Sequence, residues 1–284
     1  MEAYKNLSTY ISLLMKASRF WGLSILVLLC LFPFGDGVAG TLQDVKARGK
    51  LIVGVKTDFP PFGFLDKKRN NKGFDIDIAK ALSKELFGNE KAVEFVPVTS
   101  GNRISFLTSK KIDVAVATMS ITEKRKKEVD FSIPYFASGQ MILVHGDSRI
   151  TKYQDLAGKK VATIRGSTGD TAIAKLAPTA ERVKFERNFE ALQALKDRRV
   201  EAFVQDYVLI YNFLQKNPGL RIADLQPFSS ERYGLAVRKG DKEWLDFLNA
   251  TLTKMKEMGE YDKLLGKWFG PVAGALRKLF EPEK

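Results

Sequence analysis

One histidine and one cysteine in the whole chain remove most catalytic chemistries before any motif is considered. His145 has no second imidazole with which to share a metal, so multi-histidine sites and serine-histidine triads lack their parts. Cys30 stands alone, which excludes a disulfide within the chain. No G-x-S-x-G elbow and no Walker-type phosphate loop occurs. Long apolar runs are also missing: the block from Phe20 to Phe34 falls short of the roughly 20 residues needed to cross a bilayer.

Lys5, Lys16 and Arg19 precede that block and the small-residue stretch Gly35 to Gly40 follows it. This order predicts a secretory signal over residues 1–39, cut near Ala39 or Gly40, rather than a retained anchor. Lipid attachment at Cys30 is disfavoured, because Leu29 stands where such a signal has a small residue. The mature chain then has no cysteine, which fits export to a bacterial periplasm without disulfide chemistry. The net charge of +13 is barely changed by the cut. Its basic residues are spread over helices and turns rather than gathered with interleaved aromatics. We read them as a solvated cationic surface, not a nucleic-acid interface.

Two halves of the chain echo each other. The first runs as a strand at Lys50 to Asp58, a helix over Phe74 to Leu86, a strand at Val93 to Val98, a helix over Asn102 to Ser109 and a strand ending at Ala117. The second repeats that order from Lys159 to Asp206. Such alternation builds parallel sheets flanked by helices, and two copies imply two α/β lobes. Ligands of open α/β sheets bind beyond the carboxyl ends of the strands. Asp58, Thr118, Gly166 and Asp206 should therefore face a common cleft.

The richest segment is ATMSITEKRKKEVDFS, Ala117 to Ser132. A buried strand leaves its sheet at Thr118, Ser120 and Thr122, and Arg125 follows five residues beyond Ser120. A planar guanidinium returning over those hydroxyls matches a free carboxylate better than an ammonium does. A plainer reading exists, since TEKRKKE is also the kind of charge run that forms a solvated face.

This run, the following PYFASGQ (Pro134 to Gln140), LIVGVKTDFPPFGF from Leu51 and GEYDKLLGKWFG ending at Gly270 together resemble family 3 of the bacterial extracellular solute-binding proteins, the polar amino-acid-binding components of ABC importers. The resemblance implies a periplasmic-binding-protein-like fold: two lobes, each a mostly parallel sheet flanked by helices, joined by a two-strand hinge. It places lobe 1 at residues 40–142, lobe 2 at 143–232 and a return to lobe 1 at 233–284, with hinge strands near Gln140 to His145 and Arg232 to Val237.

Carried over position by position, Arg125 and Ser120 would take the ligand's α-carboxylate, with Thr168 and Gly169 of GSTGD closing over it. Asp206 would pair with the α-ammonium, and Thr118 would accept from it. Phe59 and Phe62 would wall the aliphatic part, beside Asp58. TSGNR at Thr99 to Arg103 resembles members that bind glutamate, aspartate or glutamine, which makes Ser100, Arg103 and Arg165 candidates for the side-chain end.

The resulting expectation is a non-enzymatic, monomeric periplasmic protein without cofactor or metal. It would capture a free polar amino acid by hinge closure, glutamate or aspartate first and glutamine next, and deliver it to a membrane permease. A dehydratase acting on prephenate or arogenate, or a sensor module, are the alternatives on the same fold.

Overall fold

The computed structural model describes residues 40–278. The signal expected over residues 1–39, Cys30 included, lies outside the described residues. Among those described, no helix is long and apolar enough to cross a membrane.

Two five-stranded sheets carry the two echoing halves. The first has the order Val93–Pro97, Leu51–Val55, Val114–Val116, Ala236–Arg238, Val129–Phe131. Leu51–Val55 runs parallel to both its neighbours, with Leu51 opposite Val93 and Val53 opposite Val114. The second has the order Glu181–Phe185, Lys160–Ile164, Ala202–Asp206, Gln140–His145, Leu220–Ile222, its first three strands again parallel. The central strands are buried on both faces because helices cover both, so LIVGV and the AFV of Ala202–Val204 read as runs rather than alternations.

Phe74–Phe87 packs Phe74, Ile78, Ala79 and Leu82 onto the first sheet. Asn188–Lys196 lays Ala191, Leu192 and Leu195 on the second. The helices Lys242–Glu257 and Glu260–Phe269 pack back on the first lobe. There Trp244 donates its indole N–H to the Asp113 carbonyl at 3.0 Å, and Lys267 pairs with Asp77 at 2.6 Å.

The crossing between the sheets differs from the expectation. Gln140–His145 is buried as far as Val144 and lies wholly within the second sheet, pairing antiparallel with Ala202–Asp206. The hinge is the two-stranded pair Phe136–Ser138 and Glu231–Tyr233, in antiparallel register with Glu231 opposite Ser138. An apolar QMILVH run gains more from two-sided burial in a sheet than from bridging two lobes, so the crossing falls just before it and the boundary at 142/143 cuts a strand.

Candidate functional site

Strand ends from both sheets do meet. Residues after Val55 and Val116 on one side face Arg165 to Thr168 and Asp206 on the other. Arg125 belongs to the short helix Glu123–Lys126, whose first turn is capped by Thr122: the hydroxyl accepts the Arg125 N–H at 3.2 Å. That cap aims the side chain inward, where it is 8% exposed. Nη1 donates to the Ser120 carbonyl at 2.7 Å, and Nη2 crosses the cleft to the Gly166 carbonyl at 2.9 Å. Arginine carries five N–H groups, so three remain for a ligand.

Gly166 is what permits this approach. Its φ is +74°, and a Cβ there would stand 2.8 Å from the Ser100 carbonyl oxygen and 2.9 Å from Gly101 Cα. Gly169, in the first turn of the helix Thr168–Leu176, is needed for a similar reason: a Cβ would meet Gln140 Oε1 at 2.6 Å. A groove of about 620 Å³ runs along this seam, bordered by Ser100, Gly101, Ile104, Arg125, Gly166 and Thr168.

A polar network fills the space behind Arg125. Gln140, fully buried, donates Nε2 to Asp206 and to Glu231 Oε1 at 3.0 Å, and lies 3.3 Å from the Thr168 hydroxyl. The Thr168 hydroxyl donates to Glu231 Oε2 at 2.8 Å, and the Ser120 hydroxyl donates to the same oxygen. Burial, reinforced by the neighbouring Glu231 carboxylate, pushes Asp206 up to about 7. An acidic pair so placed calls for a cation.

Lys56, at the end of the first strand, is 2% exposed and donates to the Ser100 hydroxyl at 2.8 Å. Burial, with help from Arg103, brings its ammonium down to about 7 against the pull of Asp58 and Asp206. Thr118 adopts φ +45°, which turns its N–H onto Asp75 at 3.1 Å. The Tyr135 hydroxyl donates to the other oxygen of Asp75 at 3.0 Å, and burial raises that carboxyl to about 7.

Several expected contacts are spent elsewhere. Arg103 is 2% exposed, and its Nη1 donates to the Ala117 carbonyl at 2.6 Å and the Thr118 carbonyl at 3.3 Å. It ties off the strand end from behind, because those two carbonyls leave the sheet without a ladder partner. Arg165 points outward, 58% exposed, onto Glu186 at 2.5 Å. The Asp58 carboxylate accepts the Asn188 backbone N–H of the opposite lobe at 2.7 Å, at the start of a helix with orphan donors. Gln205 holds the Asn188 side chain at 2.6 Å.

Phe62 is no ligand wall. It is fully buried at the centre of an aromatic cluster, 4.7 Å from Phe136, 6.0 Å from Phe74 and 5.5 Å from Phe269, with Phe59 edge-on at 5.9 Å. His145 is half-buried with Nε2 2.7 Å from the Leu195 carbonyl.

Reading the sequence missed Lys56, Gln140, Glu231 and Asn188. Lys56 carried a usable signal, since it immediately follows a buried strand on the cleft side. Glu231 carried none: ERYG is an ordinary strand start, and its partners Thr168, Gln140 and Ser120 lie 63, 91 and 111 positions away.

Residues 51–271 match the family described as bacterial extracellular solute-binding proteins, family 3. The ABC transporter glutamine-binding protein GlnH of Bacillus subtilis is 42% identical over 230 residues, covering 80% of this chain and 84% of that protein. A crystal structure of an ArgBP mutant from T. maritima aligns with a TM-score of 0.77 at 42% identity, over 81% of this chain and 99% of the other. An ancestral arginine-binding protein bound to glutamine aligns with a TM-score of 0.74 at 47% identity, over 78% and 99%.

Proposed function

Because the chain belongs to family 3 of the bacterial extracellular solute-binding proteins, we propose that it captures a free polar amino acid in the periplasm by closure of its two lobes and delivers it, as a monomer, to the permease of an ABC importer. One observation carries the reading: the Arg125 guanidinium borders the groove between the lobes and bonds a carbonyl of each. A carboxylate bound there touches a group common to both halves, and so favours the closed form by differential contact.

The α-carboxylate falls to Arg125, Ser120, Thr168 and the helix start at Gly169; the α-ammonium falls to Asp206, with Thr118 beside it. A buried Asp206 beside a second carboxylate, Glu231, suits an ammonium, and an ammonium subsite serves no purpose in a prephenate dehydratase. The relatives above are likewise named as binding proteins.

For the side-chain end, we place glutamine ahead of the dicarboxylates. Of the two cations invoked for a dicarboxylate, Arg165 points outward onto Glu186, while Arg103 gives its Nη1 to two carbonyls and keeps a buried Nε without a partner among the described residues. Beside it stands Lys56, which donates to Ser100 and whose positive charge burial weakens near neutral pH. Such a donor pair favours the uncharged side-chain oxygen of glutamine over a full carboxylate. Glutamine therefore comes first, glutamate and aspartate after it. The resemblance to glutamine-binding relatives agrees with this order.

Calorimetric titration of ligand-stripped protein against glutamine, glutamate, aspartate, arginine, histidine and prephenate tests the reading. Saturable binding led by glutamine is expected. Binding of prephenate alone, or of nothing in the panel, overturns it.

A further inference from the structure

Four residues other than glycine take a positive φ among the described residues. Arg69, Lys110 and Arg198 are exposed and unbranched, and stand in connecting segments. The fourth, Thr118 at φ +45°, is branched at Cβ and only 4% exposed. A β-branched residue in that region is a true outlier, whereas glycine adopts it without strain.

The fold needs a corner at this point. Thr118 follows the strand Val114–Val116, and directly after it the chain changes partners. The Met119 carbonyl accepts from the Gly234 N–H at 3.1 Å, and the Ile121 N–H donates to the Arg232 carbonyl at 2.8 Å, both beside the hinge strand. A corner does not need a threonine, and this one is held there by force. Arg103 binds the Ala117 carbonyl at 2.6 Å and Asp75 accepts the Thr118 N–H at 3.1 Å, so one peptide unit is gripped at both ends. That fixes the peptide plane, and with it φ of Thr118. Arg103 also reaches the Thr118 carbonyl at 3.3 Å, and the Tyr135 hydroxyl steadies the other oxygen of Asp75 at 3.0 Å. Asp75 is fully buried and Arg103 is 2% exposed. Backbone strain persists where the surroundings over-determine it, and such places cluster at functional sites.

We infer that Asp75 is a positioning residue of the ligand site: with Arg103 it grips the Ala117–Thr118 peptide and keeps Thr118 left-handed, against the preference of its side chain, so that the threonine is presented to the ligand's ammonium. The inference rests on the proposed reading for the identity of that ligand group. Asp75 itself touches no ligand and acts through Thr118.

The test is a double-mutant cycle on ligand-stripped protein, read by calorimetry with glutamine and by thermal unfolding. Asp75→Ala should weaken glutamine binding by about tenfold, the order of one hydrogen bond to a charged group. Asp75→Asn keeps an acceptor for the Thr118 N–H and should bind within about threefold of wild type. Thr118→Gly should also weaken binding, yet leave Tm unchanged or raise it, because glycine turns the corner without strain. The pair is decisive: once Thr118 is glycine, Asp75→Ala should cost less than about threefold more, whereas an Asp75 that only supports the fold costs the same in both backgrounds. Equal costs in the two backgrounds, or a Tm lowered by Thr118→Gly, overturns the inference. If Asp75→Ala does not fold, Thr118→Gly decides alone: weaker binding with Tm held supports the inference, and a joint fall refutes it. Failure of the amino-acid reading shows in the wild type, which then binds nothing in the panel; failure of the inference shows only in the variants.

Discussion

Replacing Arg125 by lysine keeps the charge and removes the fork, and the outcome can be worked from the contacts. The guanidinium makes one bond within its lobe, to Ser120 at 2.7 Å, and one across the cleft, to Gly166 at 2.9 Å. A lysine at the same Cα has one nitrogen and cannot serve both carbonyls and a ligand together. At least one charge-assisted bond to a buried carbonyl is lost, along with the paired grip on the carboxylate. Hydrogen bonds to charged groups contribute about 1.5–3 kcal/mol each. With part of the electrostatic attraction retained by the ammonium, a net loss of about 2–4 kcal/mol is expected, or roughly 30- to 1000-fold in Kd. Calorimetry with glutamine, beside a Lys124→Ala control on the same helix, measures it. A variant Kd within threefold of wild type would refute the assignment of Arg125 to the ligand.

Gly166→Ala should weaken glutamine binding by about tenfold or more, since a left-handed alanine costs on the order of 1–2 kcal/mol and its Cβ meets the Ser100 carbonyl of the facing lobe; calorimetry and ligand-bound scattering dimensions check it. Asp75 is protonated more readily in the folded chain, about 7 against 3.8, so its contribution to stability is present at low pH and is lost as pH rises from about 4 to 7. The difference is on the order of 4 kcal/mol. Asp75→Asn should flatten the denaturation-versus-pH curve over that window and be no less stable than wild type at pH 8, with the Asp206 contribution remaining. Arg103→Met should lower Tm, because the Ala117 and Thr118 carbonyls lose their partner. It should leave the ranking of amino acids unchanged; a selective loss of glutamate in a titration series would restore Arg103 to the side-chain subsite.

The sequence by itself determined the series of strands and helices, because apolar runs such as LIVGV and the AFV before Gln205 and the helix over Phe74 to Leu86 are local patterns that burial on a sheet rewards wherever the chain goes. It also determined which positions end strands, and through the topology of α/β sheets that placed Thr118, Gly166 and Asp206 at one cleft. Arg125 was singled out by its place five residues beyond Ser120, whose carbonyl its guanidinium does reach.

Tertiary structure decided how each polar group spends its hydrogen bonds. Asp58 and Asn188, 130 positions apart, meet across the lobes; Arg103 goes to two carbonyls; Phe62 goes to the aromatic core. Glu231 takes hydroxyls from both lobes. A donor satisfies one acceptor at a time, and which acceptor lies within about 3 Å depends on segments far apart in the chain, so no local pattern of residues encodes it.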